Sequence, residues 1–195
     1  MTTSPFEKCK NWLRHASYLT EEDCDLFEDY LTARQYKAGD FILQNGNVCH
    51  EMGFVNSGAF RIYYLSDDKE INTRFCFEGE FVVDYDSFLE QKPSRYFIQA
   101  LEDSEMVTFT LQTLLEAYKS SQNWERFGRM MAEESFKMVT RRVESFMFMT
   151  GEQRYLQLLE NQPEIFQKLP LYHIASYLGL ERESLSRIRK KMASK

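Results

Sequence analysis

The 195-residue chain is short of cysteine (four), histidine (three), proline (four) and glycine (eight), and it has no long apolar run. Cys9, Cys24, Cys49 and Cys76 are scattered, with no C-x-x-C pair and no histidine at zinc-ligand spacing. That spacing excludes a zinc ribbon and a dense disulfide framework, leaving ordinary reduced cysteines. His15, His50 and His173 are equally dispersed and read as packed or surface side chains rather than metal or haem ligands. No apolar stretch reaches the roughly 18 residues of a membrane span, and Met1 to Lys10 lacks the basic-then-apolar layout of a secretory signal. With a mean hydropathy of −0.51, a cytoplasmic protein with no membrane partner is expected. Enzyme signatures are missing too: there is no G-x-S-x-G elbow, no glycine-rich phosphate loop with lysine and no H-E-x-x-H. A non-enzyme is expected, and the residues single out no cofactor.

What is present is enough apolar material for a real core. Hydrophobic residues make up 43% and aromatic residues 15%, against 28% charged, so burial can offset the entropy of ordering the chain. The length suits two modest domains better than one large one. The net charge of −6 hides an asymmetry: residues 1–110 hold 10 basic and 20 acidic side chains, whereas residues 111–195 hold 14 and 10. Over the last fourteen residues Arg182, Arg187, Arg189, Lys190, Lys191 and Lys195 oppose only Glu183. This local excess of positive charge suits a phosphate partner.

The period of the apolar residues changes twice along the chain. Helical patterns run from about Phe6 to Ala16 and again after Thr20, where Thr20-Glu21-Glu22-Asp23 has the form of a capping box. Leu26, Phe27, Tyr30 and Leu31 supply the apolar side of the second. From about Arg34 to Thr110 short β-type runs follow, including Phe41 to Leu43, Gly53 to Val55, Phe60 to Leu65, Thr73 to Phe77, Phe97 to Leu101 and Met106 to Phe109. Turn residues separate them, among them Asn56-Ser57-Gly58 and Ser66-Asp67-Asp68, and the pattern predicts a sandwich or barrel. Beyond Thr110 the period is helical to the end. A helix from about Gln122 to Met149 carries two apolar stripes, one of Ala132, Phe136, Val139, Val143 and Phe146, the other of Trp124, Phe127, Met131, Met138 and Phe148. One stripe can cover the β domain. The other asks for a partner, and a self-pairing dimer with Met131 and Met138 in its seam is expected.

The segment Leu171 to Lys191, LYHIASYLGLERESLSRIRKK, has the pattern of a helix-turn-helix. Ile174, Leu178, Leu180, Leu185 and Ile188 form its shared core, Ala175 is small where two helices must approach, and Gly179 can take the positive φ of the turn. Pro170 suits the start of the first helix. At 100° per residue, Arg182, Glu183, Ser186, Arg187 and Lys190 share one face of the second helix, opposite Leu185, Ile188 and Met192.

With these residues in view, the chain resembles the catabolite-activator (Crp/Fnr) family of bacterial transcription regulators along nearly its whole length. Arg182, Glu183 and Arg187 stand where that family's recognition helix has an Arg-Glu pair followed four residues later by an Arg. The resemblance implies base contacts by these three, and the chemistry agrees: Arg can donate to guanine O6 and N7, and Glu can accept from cytosine N4. Ser184 and Ser186 are expected as secondary contacts, and Arg189, Lys190 and Lys191 as phosphate contacts. The resemblance further implies an α+β fold, with a cyclic-nucleotide-binding-like β-roll over residues 1–120, a dimerisation helix over 121–149 and a helix-turn-helix domain over 150–195. It implies double-stranded DNA with a near-palindromic site of TGTGA-like half-sites, a second copy of the chain, RNA polymerase and a small-molecule effector as partners. Longer members continue into a β-hairpin wing, and the sequence resembles the shorter branch that lacks it.

Within the β-roll, Gly46 and Gly58 match turn glycines of the family, and Gly79-Glu80-Phe81-Val82-Val83-Asp84 resembles its phosphate-binding cassette. Members that bind cyclic AMP have Gly where Val83 stands, then an acid, kept here as Asp84. They also have Arg followed by Ser or Thr, replaced here by Ser94-Arg95-Tyr96. A branched residue at Val83 and a lone Arg95 make a poor anion site, so cyclic AMP is disfavoured and Val83, Asp84, Arg95 and Tyr96 mark an effector site of altered specificity. An iron-sulfur centre would need clustered thiolates, and Cys9 and Cys24 lie fifteen positions apart. Haem ligation by His15, His50 or Cys49 cannot be told from packing by sequence. The competing functional class is a ligand-binding or protein-interaction module whose helix-turn-helix no longer meets DNA.

Overall fold

The computed structural model describes residues 4–16 and 18–193, without the side chains of Ala16, Leu26 and Ala193. Lys195, counted above in the basic run, lies outside the described residues, as does the side chain of Leu26. By its contacts the chain divides into two compact units, one of Met1–Tyr64 with Arg74–Ala132, the other of Leu65–Thr73 with Glu133–Lys195.

The first unit is a β-sandwich framed by helices. Its strands are β1 (Thr32–Tyr36), β2 (Phe41–Leu43), β3 (Glu51–Ser57), β4 (Ala59–Ser66), β5 (Lys69–Phe77), β6 (Phe81–Val82), β7 (Phe97–Ala100) and β8 (Ser104–Thr110). They form two four-stranded sheets, ordered β1-β8-β3-β6 and β2-β7-β4-β5. Six of these strands fall on the runs that periodicity predicts. β1 does not, because its residues are almost all exposed and it is held by backbone pairing to β8, Thr32 opposite Thr108 through Tyr36 opposite Ser104. Edge pairing of this kind leaves no apolar alternation to read. β6 is only two residues long and pairs with β3 at Gly53 and Phe54. The Ser66-Asp67-Asp68 turn is present, with Asp67 and Asp68 both at positive φ, the geometry of a tight hairpin.

Helices α1 (Glu7–Ala16), α2 (Glu21–Glu28), α4 (Leu111–Ser120) and the start of α5 (Gln122–Phe148) belong to the same unit. Aromatic side chains join them to the first sheet. The Trp12 ring of α1 meets Phe54, Phe81 and Phe127 at 5.8, 5.2 and 6.4 Å, and Phe27 of α2 meets Trp124 at 4.3 Å and Phe109 at 5.2 Å. Leu31 is buried beside them, whereas Tyr30, expected on the apolar side, stands 65% exposed. Its hydroxyl keeps it wet where a Leu would not be. α4 and α5 touch closely at Gly128, where a Cβ would collide with the Tyr118 hydroxyl. All four cysteines are buried and unpaired in disulfides. Burial pushes the Cys9 thiol up to about 12 and those of Cys24, Cys49 and Cys76 up to about 11, so none is a ready thiolate at neutral pH.

The second unit holds the rest of α5, α6 (Gly151–Asn161), α7 (Ile165–Lys168), α8 (Leu171–Tyr177), α9 (Arg182–Ala193) and the tip of the β4–β5 hairpin. Thr150 and Gln153 close a capping box at the start of α6, a T-x-x-Q signal visible in the sequence. Its core is Tyr155, Leu158, Ile165, Leu169, Ile174, Ala175, Leu178 and Leu185.

The two stripes of α5 meet different fates. Trp124 and Phe127 are buried in the first unit, and Met131 packs partly buried against that same core. Phe136, Val139 and Val143, three and four residues apart, stand 73, 62 and 51% exposed. Of the two methionines expected in the seam, Met131 is partly buried against the first unit's core, whereas Met138 is 42% exposed.

The α2 cap supplies a stability test. Asp23 accepts hydrogen bonds from the Thr20 N–H at 2.9 Å, the Thr20 hydroxyl at 2.9 Å and the Asn123 amide at 2.9 Å. Burial alone would raise its carboxyl pKa, but these bonds, with Ser121, outweigh it and hold the group below its ordinary value. The carboxylate's contribution is thus complete above the unfolded value of about 3.9 and is lost as pH falls through the lower folded value. Asp23→Asn should lower stability at neutral pH by about 1 kcal/mol in chemical unfolding, and the difference from wild type should shrink as the pH approaches 3.

Candidate functional site

The helix-turn-helix is built by a cap. Gly179 at φ +64 ends α8, its N–H donating to the Ser176 carbonyl at 3.0 Å while the Leu180 N–H donates to the Ala175 carbonyl at 2.9 Å. This pair of bonds is a Schellman motif, which needs a left-handed residue at the position of Gly179. A Cβ there would also strike the Phe146 ring. The turn is braced by a residue that sequence reasoning missed. Arg154 of α6 donates from Nε to the Leu178 carbonyl at 2.9 Å and from Nη1 to the Met149 carbonyl at 2.8 Å, with its guanidinium 4.6 Å from the Phe146 ring centre. Only the fold brings those carbonyls to one place, so no local signal marks it.

Leu185 is fully buried and Ile188 partly so, while Arg182, Glu183, Ser186, Arg187, Arg189, Lys190 and Lys191 are exposed. The apolar back and polar front are therefore separated as the helical angles require. Ser184 is half-buried and accepts a hydrogen bond from Arg187 Nη2 at 3.1 Å. Lys191 is held by Glu152 of α6, its Nζ 3.0 and 2.7 Å from the two carboxylate oxygens. Its charge is thus partly committed within the protein.

In the first unit a cavity of about 360 Å³ opens beside α3 (Tyr85–Glu90), with Asp84, Asp86, Ser87, Ser94, Arg95 and Tyr96 in its lining. Asp84 precedes α3 without capping it; instead its Oδ2 accepts from the Ser94 hydroxyl at 2.5 Å. Ser94 Oγ in turn accepts the Tyr96 N–H at 2.8 Å. Backbone bonds hold Ser94 to the opposite turn, its carbonyl accepting from the Gly46 N–H and its N–H donating to the Asn47 carbonyl, both at 2.8 Å. The structure thus brings together three of the four residues that sequence singled out. Val83 is the fourth, and it packs half-buried against the hydrophobic core rather than lining the cavity.

Two carboxylates, Asp84 and Asp86, share this cavity with two cations, and Lys92 is drawn to Glu90 at 3.0 Å. Arg95 is exposed. Acidic and basic side chains are balanced in this lining, so a compact anion entering it would meet carboxylate repulsion as well as cation attraction. His50 sits outside the cavity lining with Nδ1 3.1 Å from Gln91 Oε1. Among the described residues no cluster of three or more histidine, cysteine or acidic side chains could hold a metal ion, and no helix is long and apolar enough to cross a membrane.

Residues 33–121, within the first unit, match the model of the cyclic nucleotide-binding domain. No curated protein sequence matches the chain. Solved structures do. FixK2 from Bradyrhizobium japonicum aligns with a TM-score of 0.73 at 18% identity, over 84% of this chain and 85% of its own. A putative transcriptional regulator of the Crp/Fnr family from Eubacterium rectale aligns at 0.71 and 21%, over 94% and 88%. The c-di-GMP-responsive global regulator CLP from Xanthomonas campestris aligns at 0.70 and 20%, over 90% and 92%. The chain thus contains a stretch that matches the cyclic nucleotide-binding domain, and its fold is like that of solved Crp/Fnr-type structures over most of its length.

The cavity generates a ligand prediction. Calorimetric titration with cyclic AMP should show no submicromolar binding. Removing the acid with Asp86→Asn should improve whatever weak binding there is, because one repulsion is lost; submicromolar affinity in the wild type would overturn this account of the cavity.

Proposed function

We propose that the protein is a homodimeric, sequence-specific DNA-binding transcription regulator, non-catalytic, with an effector-sensing β domain over residues 1–120, a dimerisation helix over 121–149 and a DNA-binding domain over 150–195. One observation carries this reading: α9 sits on a capped helix-turn-helix with its apolar side buried and Arg182, Glu183, Ser186 and Arg187 exposed together. In this arrangement Arg182, Glu183 and Arg187 read base edges in the major groove, and Ser184 and Ser186 assist them. Arg189, Lys190 and Lys191 meet phosphates. The effector is a small molecule other than cyclic AMP, held near Asp84, Arg95 and Tyr96. RNA polymerase is a further partner on the strength of the structural likeness alone.

The second copy covers the apolar face of α5. Phe136, Val139 and Val143 form a 3-4 spaced row that is too exposed for an isolated chain, and a symmetric pairing of two such rows buries both. Val139→Glu should yield monomers in sedimentation, because a charge would be buried without a partner; dimers that persist at micromolar concentration would place the interface elsewhere.

Selection from a random duplex pool should return a near-palindrome with half-sites one turn, roughly 34 Å, apart. Arg187→Ala should flatten preference at one or two positions, a loss of roughly 1–3 kcal/mol of discrimination. Arg189→Ala should weaken all sequences alike and reduce the salt slope by about one charge, and Lys191→Ala should reduce it less, because Glu152 already holds that ammonium. If no palindrome emerges and Arg187→Ala changes nothing, α9 is a protein-contact surface.

A further inference from the structure

The tip of the β4–β5 hairpin, Leu65–Thr73, groups by its contacts with the helix-turn-helix unit. A set of polar contacts makes this docking. The Asn72 N–H donates to Ser176 Oγ at 2.9 Å, and that hydroxyl donates to the Glu70 carbonyl at 2.6 Å. The Asn72 carbonyl accepts from Arg142 Nη2 at 3.3 Å, the same nitrogen that bonds the Tyr177 carbonyl at 2.8 Å. Asn72 Nδ2 lies 3.3 Å from His173 Nδ1. At the far side Lys69 pairs with Glu181, the residue just before α9, at 3.1 Å.

Two features distinguish this docking from simple bracing. Asn72 is 1% exposed, yet its Oδ1 is buried with no hydrogen-bond partner. A buried acceptor without a donor raises the free energy of the docked state, and leaving the contact would let water satisfy it. The second feature is charge. Asp67, Asp68 and Glu70 outnumber Lys69 on the exposed tip, so the docked hairpin brings net negative charge to the N-terminal end of the helix whose front carries Arg182 and Arg187. Phosphate approaching that end meets repulsion. The docking bonds do not need those acids: they come from Asn72, Ser176 and Arg142, and Asn tolerates the left-handed backbone of Asp67 and Asp68 as well as Asp does.

We propose that the acidic hairpin tip is an autoinhibitory brake on DNA binding, docked on α8 through Asn72 and Ser176 and released when DNA is bound. The proposal rests on the DNA-binding reading above. It names the regulation of that same surface.

The test uses the full chain, a labelled random-sequence duplex and three variants: the Asp67→Asn, Asp68→Asn pair; Ser176→Ala; and all three changes together. At about 50 mM salt the Asn pair should tighten binding by roughly threefold to tenfold, and most of that gain should vanish by about 200 mM. Ser176→Ala should also tighten binding, with faster amide exchange over residues 69–73 reporting release of the tip. Asn72→Ala is the substitute if exchange there is unchanged. Once the tip is free, adding the Asn pair should bring less than half its original gain. Unchanged or weaker binding by the Asn pair, or a full gain on top of an undocked tip, overturns the brake. These outcomes are distinct from failure of the underlying reading: binding that depends on Arg187 but ignores the acids defeats the brake alone, whereas no duplex binding by any folded variant defeats both.

Discussion

Burial of one aromatic cluster organises the first unit. Trp12, Phe27, Phe54, Phe81, Phe109, Trp124 and Phe127 come from two N-terminal helices, three strands and the start of α5. Each is worth about 1.5–3 kcal/mol when fully buried, so together they outweigh the exposed ion pairs, whose median contribution is near zero to one. The cluster also roots α5. Trp124 and Phe127 sit near one end of this 27-residue helix, and Phe136, Val139 and Val143, in its part belonging to the second unit, are exposed.

In the second unit directed polar contacts do more of the positioning. A short helix such as α8 has little apolar area, and its end is set by the left-handed Gly179 and by Arg154, which satisfies carbonyls that would otherwise lack donors. Arg142 plays the matching part at the Tyr177 carbonyl. These arginines face inward and order the turn. Those of α9 face outward. One residue type thus serves two purposes in the same unit, and only the surroundings of each side chain separate them.

The cavity beside α3 is framed by backbone and lined by charge. The turns at Gly46 and Ser94 are tied by backbone bonds, with Gly46 at a positive φ that favours glycine. Charge is not fixed by those bonds. Ser94 is bound to Asp84 while Arg95 stands in the open.

Patterns that repeat over neighbouring residues were legible in the sequence: six of the eight strands, the long helix, the Thr20 cap, the glycine turn and the two faces of α9. Each depends on a period or on contacts between residues a few positions apart, which linear order preserves. Where the expected apolar side failed, as at Tyr30, the choice between core and surface depended on which distant element lay opposite. The strand β1, the inward roles of Arg142 and Arg154, the capture of Lys191 by Glu152 and the docking of Asn72 on α8 were invisible for the same reason. Each joins groups remote in sequence through a hydrogen bond or ion pair made at close range, about 3 Å, and that approach exists only once the chain has folded.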